Sequence, residues 1–282
     1  MEAEHARDVG RRQRARRTAV EPEEGKWEFS KVDRVIRDIT AAGIEVLAVL
    51  MSVPAWASGV DPKSEEGFWD CYPPKRIGDY EEFIRRTVSR YKDKVRFWEV
   101  WNEENGWFFD DWQTVASVEQ VRAYGRALKA AAQAIRRANP EATVVFGGTA
   151  GSTVDYPGIA LQEGAAPWVD VFAFHPYGHP TPEAAPDNFL TQVGGQMDWL
   201  PRPAGIIDYE TEIGAIRTAL RRYKRGIDVW ADEMNWFAPG EPPMPQLGDQ
   251  GELAQAKYLA RFYTMNAWMG CAAVWWSLYN AN

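Results

Sequence analysis

Cysteine and histidine are scarce in this chain: its 282 residues include two cysteines, Cys71 and Cys271, and three histidines. Two thiols cannot build a disulfide framework, and nothing has the spacing of a cysteine-based metal site. Both read as core or loop residues. A run of about eighteen apolar residues, the length that spans a bilayer, is also missing. The first residues, Met1-Glu2-Ala3-Glu4-His5, lack an apolar signal-peptide core. Taken literally that start assigns the chain to the cytoplasm, and an upstream segment would reopen the question of secretion. Basic excess is lacking too: the net charge of −8 and pI near 5.1 argue against nucleic-acid or anionic-membrane partners, whose phosphates need a positive field.

Aromatic residues, in contrast, are abundant, with fourteen tryptophans. An excess of flat rings offers stacking surfaces as well as core packing, and sugars are ligands that stack on such surfaces. The 45% hydrophobic content is enough for one sizeable core.

Residues 1–20, with Arg11, Arg12, Arg14, Arg16 and Arg17, have no strand-length apolar run and read as a charged, disordered arm. Residues 21–282 read as a single domain. Val32, Val35, Ile36 and Ile39 fall on one face of a helix opened by Ser30 and stopped by Gly43, and a strand at 44–51 follows. Asp79 with Glu82, and Ser117 with Gln120, have the spacing of capping boxes for two further helices. Strands are expected at 95–101, 142–146, 169–174, 227–231 and 271–278, with a helix over 212–225, another from Asp249 and a short one after Tyr156. The Pro-rich segment 180–205 reads as a long connection. Six strands alternating with helices imply parallel pairing, hence a barrel or a doubly wound sheet. Gly147-Gly148-Thr149-Ala150-Gly151 is a weak phosphate-loop pattern and no GxGxxG follows the first strand, so no nucleotide cofactor is expected and the barrel is preferred.

Chemistry-bearing residues gather where strands end, which is where parallel barrels keep their sites. Val95-Arg96-Phe97-Trp98-Glu99-Val100-Trp101 runs into Asn102-Glu103-Glu104-Asn105, and Ile227-Asp228-Val229-Trp230-Ala231 runs into Asp232-Glu233. Regular alternation puts Phe97, Glu99, Trp101 and Glu103 on one face and Ile227, Val229, Ala231 and Glu233 on one face of the later strand. If both turn inward, Glu103 and Glu233 meet across a cleft. Two opposed carboxyls suffice for glycoside hydrolysis: one protonates the leaving oxygen, the other attacks the anomeric carbon or activates water. Asp232 is the rival to Glu233. Glu104 and Asn105 suit a loop-structural role as well as a substrate-facing one, and His179 reads as a loop histidine.

Trp98-Glu99-Val100-Trp101-Asn102-Glu103 resembles the fourth-strand signature of retaining glycoside hydrolases of clan A, family 39 in particular, with families 5 and 10 as neighbours. The resemblance runs from about Glu21 to Leu278. It implies an α/β fold of the (β/α)8 TIM-barrel type, incomplete, with about six strands corresponding to units 3 to 8. It also implies Glu103 as general acid/base and Glu233 as nucleophile, with Asn102 on a sugar hydroxyl and His175 and Tyr177 near the nucleophile. Trp275 or Trp276 would be a stacking floor, and Trp56 a cleft residue after the third strand. No metal is implied, the partner is an oligosaccharide or glycoside, and oligomeric state is left open. Two strands that the family has before this point have no counterpart in residues 1–20. Glu99 would then lack the arginine that such relatives could supply, and a binding-only remnant is the alternative to an enzyme.

Overall fold

The computed structural model describes residues 17–58, 72–107, 118–151, 156–176, 181–184, 188–193, 196–201, 208–234 and 251–275. Most of the expected charged arm lies outside these, as do Ser117, Asp249 and the end of the last strand. The principal elements are α1 (Ser30–Ala41), β1 (Leu47–Leu50), α2 (Ile77–Tyr91), β2 (Phe97–Val100), α3 (Val118–Ala138), β3 (Thr143–Ala150), β4 (Val171–His175), β5 (Asn188–Val193), β6 (Gln196–Pro201), α4 (Tyr209–Leu220), β7 (Asp228–Met234), α5 (Gly251–Trp268) and β8 (Ala273–Trp275).

Six strands form one parallel sheet in the order β1-β2-β3-β4-β7-β8, an incomplete (β/α)8 barrel as expected. Strands β2, β3 and β4 are buried on both faces, which explains their apolar runs. Trp98, Val100, Val144, Phe146, Phe172, Phe174, Val229 and Ala231 face the helices and join the main core. Leu47, Val145, Val171, Ala173 and Trp230 form a smaller cluster on the inner face. The sheet is strongly curled. Strands β2 and β7 are three spacings apart, about 14 Å if flat, yet the Phe97 and Trp230 rings meet edge to face with centroids 5.2 Å apart.

Helix starts depart from the expected caps. Ser30 is the first residue of α1 and makes no cap bond; instead Glu28 Oε1 accepts its N–H at 2.9 Å. Gly43 ends this helix at φ +73°, a conformation that favours glycine. Helix α2 starts ahead of Asp79, so the proposed box cannot form: Asp79 pairs with Arg76 at 2.8 Å and Glu82 with Arg85 and Arg86 at 2.7 and 2.6 Å. Among the described residues a reciprocal box forms on α4, where Asp208 accepts the Thr211 N–H at 2.8 Å and Thr211 Oγ1 accepts the Asp208 N–H at 3.1 Å. The segment read as a plain connection holds an antiparallel hairpin, β5 with β6.

Helix α4 buries Glu212 completely, with neither carboxylate oxygen hydrogen-bonded among the described residues. Burial lifts this carboxyl from its ordinary 4.5 to about 8. The folded state therefore keeps a proton that the unfolded chain releases above its ordinary value. The stability this contributes is full below that value and is lost as pH rises through about 8. Replacing Glu212 with Gln should remove the dependence: chemical denaturation should show the variant gaining on the wild type by up to a few kcal/mol between about pH 5 and pH 8.

Candidate active site

The carboxyl ends of β2, β3, β4 and β7 converge on one buried imidazole. His175 ends β4 and is 1% exposed. Its Nδ1 lies 2.9 Å from Glu103 Oε1, and its Nε2 lies 3.7 Å from Asp232 Oδ1 and 3.9 Å from Glu233 Oε2. One carboxylate oxygen of Glu103, one of Glu233 and one ring nitrogen lie within 4.8 Å of one another. The resemblance implies His175 near Glu233; the direct hydrogen bond of the ring goes to Glu103.

Backbone irregularities aim these groups. Past β2, Trp101 has φ +76° and Glu103 φ +48°, left-handed values that cost a non-glycine residue about 1 kcal/mol or more. Trp101 consequently leaves the inner face expected of it and packs against Tyr80 of α2, at 6.3 Å edge to face. Its N–H donates to Leu50 O at 3.0 Å, and Glu103 N–H donates to Gly148 O at 2.7 Å, so the turn is pinned on both sides. Asn102 is 4% exposed, and its Nδ2 has no hydrogen-bond partner among the described residues.

Two bulges complete the arrangement. In the β7–β8 ladder Ala231 pairs with Ala273 and Met234 with Trp275, leaving an extra residue on β7 at Asp232-Glu233. Strict alternation therefore fails on this strand. Val229 and Ala231 face the helices, Trp230 faces inward, and the bulge lets adjacent Asp232 and Glu233 both approach His175. In the β3–β4 ladder the extra residue falls at Gly147-Gly148. A Cβ on Gly148 would sit 2.2 Å from His175 Nε2, and one on Gly147 would sit 2.3 Å from Glu104 Oε2. The glycine pair is clearance for two side chains, which explains it without a phosphate ligand.

Burial alone would lower the His175 pKa, but Glu233, Glu103 and Asp232 outweigh it and raise it to about 10. The ring is thus an imidazolium at neutral pH. By distance alone Glu103, His175 and Glu233 would suit a metal ion. Glu99 is 2% exposed and accepts the Gly148 N–H at 2.8 Å; burial, then the neighbouring Asp232, push its carboxyl well above the usual range. Asp232 rises to about 6, chiefly by burial, with His175 opposing. Glu104 packs against Gly147 and near Tyr124 and Tyr156, where burial lifts it to about 8. Asn105 is structural: its side chain exchanges two hydrogen bonds with Ala150, at 2.8 and 3.0 Å.

Of the other expected residues, Trp56 lies in a short helix after β1 with its Nε1–H donating to Glu21 O at 3.2 Å. Trp275 ends β8, with a side chain outside the described residues. Tyr177, Trp276 and His179 also lie outside them. A cavity of about 360 Å³, lined by Arg96, Phe97, Asp170, Asp228 and Trp230, opens at the opposite, amino-terminal end of the strands. There Asp170 already pairs with Arg136 at 2.5 Å and accepts the Val144 N–H at 2.8 Å, so that end is a structural base.

No family model matches the sequence. The fold is similar to that of a family 39 glycoside hydrolase from the gut symbiont Bacteroides cellulosilyticus WH2, at TM-score 0.60 and 23% identity over 92% of this chain and 48% of that one. It is similar to a glucosidase from Croceicoccus marinus, at TM-score 0.59 and 14% identity over 90% and 46%. A xylanase from Paenibacillus barcinonensis matches at TM-score 0.51 and 17% identity over 92% and 72%. The chain thus spans about half the length of the first two. The likeness is one of barrel fold, and these figures agree with the strand order and curvature described above.

A side chain at Gly148 should displace His175 without disturbing the sheet. Gly148→Ala is expected to abolish the Glu103–His175 hydrogen bond, read as loss of the downfield imidazole N–H resonance, with far-ultraviolet circular dichroism unchanged.

Proposed function

We propose that the chain carries the active centre of a retaining O-glycosidase, with Glu103 as general acid/base and Glu233 as nucleophile. The observation behind this reading is the approach of the two carboxylates: oxygens of Glu103 and Glu233 within 4.8 Å, on opposite sides of the curled sheet. A gap of about 5 to 5.5 Å suits direct attack on the anomeric carbon, whereas inversion needs about 6.5 to 9.5 Å to admit water. Similarity in fold to glycoside hydrolases supports the same class.

In this mechanism Glu233 attacks the anomeric carbon as Glu103 protonates the departing oxygen, drawing the proton from His175 Nδ1 across their hydrogen bond. Water, deprotonated by Glu103, then releases the sugar. His175 bonds Glu103 through Oε1 and fixes its plane. The buried Nδ2 of Asn102 is a donor suited to a sugar hydroxyl at the cleft. Stacking by Trp275, Trp276, Tyr177 or Trp56 belongs to the same reading, as does a glycoside or oligosaccharide partner.

A second reading, a barrel that binds carbohydrate without cleaving it, is favoured by one observation: among the described residues β1 and β8 each have a single strand neighbour. An open sheet holds its tips less rigidly than a closed one. Aryl glycosides separate the two. An enzyme should turn over nitrophenyl glycosides, and Glu233→Ala should reduce the rate by at least about 10³-fold with the fold retained. Glu103→Ala should impair unactivated glycosides far more than dinitrophenyl ones, because only poor leaving groups need the proton. Oligosaccharide binding with no turnover by the wild type would establish the second reading.

A further inference from the structure

We propose that the outer face of α5 is a docking surface for a second copy of this chain, the two α5 helices pairing antiparallel about a two-fold axis at Ala260. The pairing goes beyond the glycosidase reading and does not rest on it.

Helix α5 is apolar on both of its sides. Phe262 and Asn266 turn inward to Tyr209 of α4: the two rings have centroids 6.4 Å apart, and Asn266 Oδ1 accepts the Tyr209 O–H at 3.1 Å. Tyr258, Leu259, Met265 and Met269 pack beside them on the main core. Helical geometry puts Leu253, Ala256, Ala260, Tyr263 and Ala267 on the opposite side, and all five are exposed. A helix that covers a core normally turns charge to water. The exposed positions of α3 obey this, being Glu119, Arg122, Arg126 and Arg137. The α5 stripe has no charged residue. Leu253 is 70% exposed and Tyr263 42%, while Trp268, at the flank of the stripe, is 83% exposed. Exposed apolar surface gathered on one face marks a contact.

The order of side-chain sizes selects a second copy as the occupant. Intervals of three and four residues make the stripe a helix–helix seam. Laid antiparallel about Ala260, Leu253 of each copy meets Ala267 of the other, and Tyr263 meets Ala256. Large faces small at each level, and Ala260 meets itself, so the two backbones can approach closely. A two-fold interface requires such self-matching, whereas an unrelated partner does not. The area is sufficient as well. These side chains expose about 500 Å² on each copy, so a pair buries about 1,000 Å² in total, the lower bound of a specific interface. A contact of that size is reversible, with dissociation in the range of about 1 to 100 μM.

Sedimentation of the full chain across about 1 to 100 μM tests the pairing. The weight-average mass should climb from one chain toward two. Ala260→Glu sets two carboxylates against each other at the axis and should weaken association at least about 10-fold, with far-ultraviolet circular dichroism unchanged. Should that variant fail to fold, Ala260→Cys decides. Mild oxidation should link it into a covalent dimer, while Thr218→Cys, at an exposed position of α4, should give no more than the wild-type background.

A wild type that stays monomeric at about 100 μM would overturn the proposal and leave the face to a different polypeptide. A dimer that Ala260→Glu leaves intact would place the interface elsewhere and overturn it equally. Cross-linking of Thr218→Cys as extensive as that of Ala260→Cys would show random collision, and assembly past two chains would rule out a closed two-fold pair.

Discussion

A single buried cation organises the cleft. Taking an imidazolium out of water costs several kcal/mol unless opposite charge meets it at close range. His175 is met on both ring nitrogens: Glu103 at one, Asp232 and Glu233 at the other. Each carboxylate is in turn held near its neighbours by the same cation. Glu103 and Glu233 would otherwise repel at under 5 Å, and the ring between them makes their approach tolerable. Nearly every oddity of the backbone serves this grouping. The positive φ values at Trp101 and Glu103 turn the β2 tip, and the β7 bulge presents two successive acids. Gly148 leaves the ring its space.

Much of this was legible in the chain. Strand and helix order follow from apolar periodicity, and parallel order follows from alternation, because a crossover helix returns the chain to the same edge. The tips also announced themselves, since Asn102-Glu103 and Asp232-Glu233 end strongly apolar runs. Parity did not. Counting by twos placed Ala231 and Trp101 on the inner face, and a bulge and a left-handed turn moved both; neither residue is of a type that announces such a conformation. The cap at Asp79 failed for a related reason: aspartate can cap or pair, and Arg76 offered the pairing. In contrast, the β5–β6 hairpin had a usable signal. Gly194-Gly195 separates two strand-length segments, the interval that marks a tight hairpin, and the prolines on either side masked it.

Glu104 shows how one step along a chain changes a carboxyl's work. Glu103 lies against His175 with a fifth of its side chain exposed. Glu104 opens the next helical turn and is driven behind β3, where it is fully buried near Tyr124 and Tyr156. There a neutral acid is cheaper than an ion, and burial raises its pKa to about 8. The distinction lies in which layer each side chain enters, helix side or cleft side.

Curvature is the remaining condition, because β2 and β7 are not hydrogen-bonded neighbours. They are linked through β3 and β4, and the ladder alone would allow the sheet to open. Two contacts at different heights oppose that. Phe97 and Trp230 touch near the base, and Glu103 and Glu233 share His175 at the rim. The first is apolar and indifferent to pH, while the second depends on a proton. Loss of charge on His175 would loosen the rim first and leave the aromatic base intact, so the geometry at the tips is more sensitive to pH than the fold that carries it.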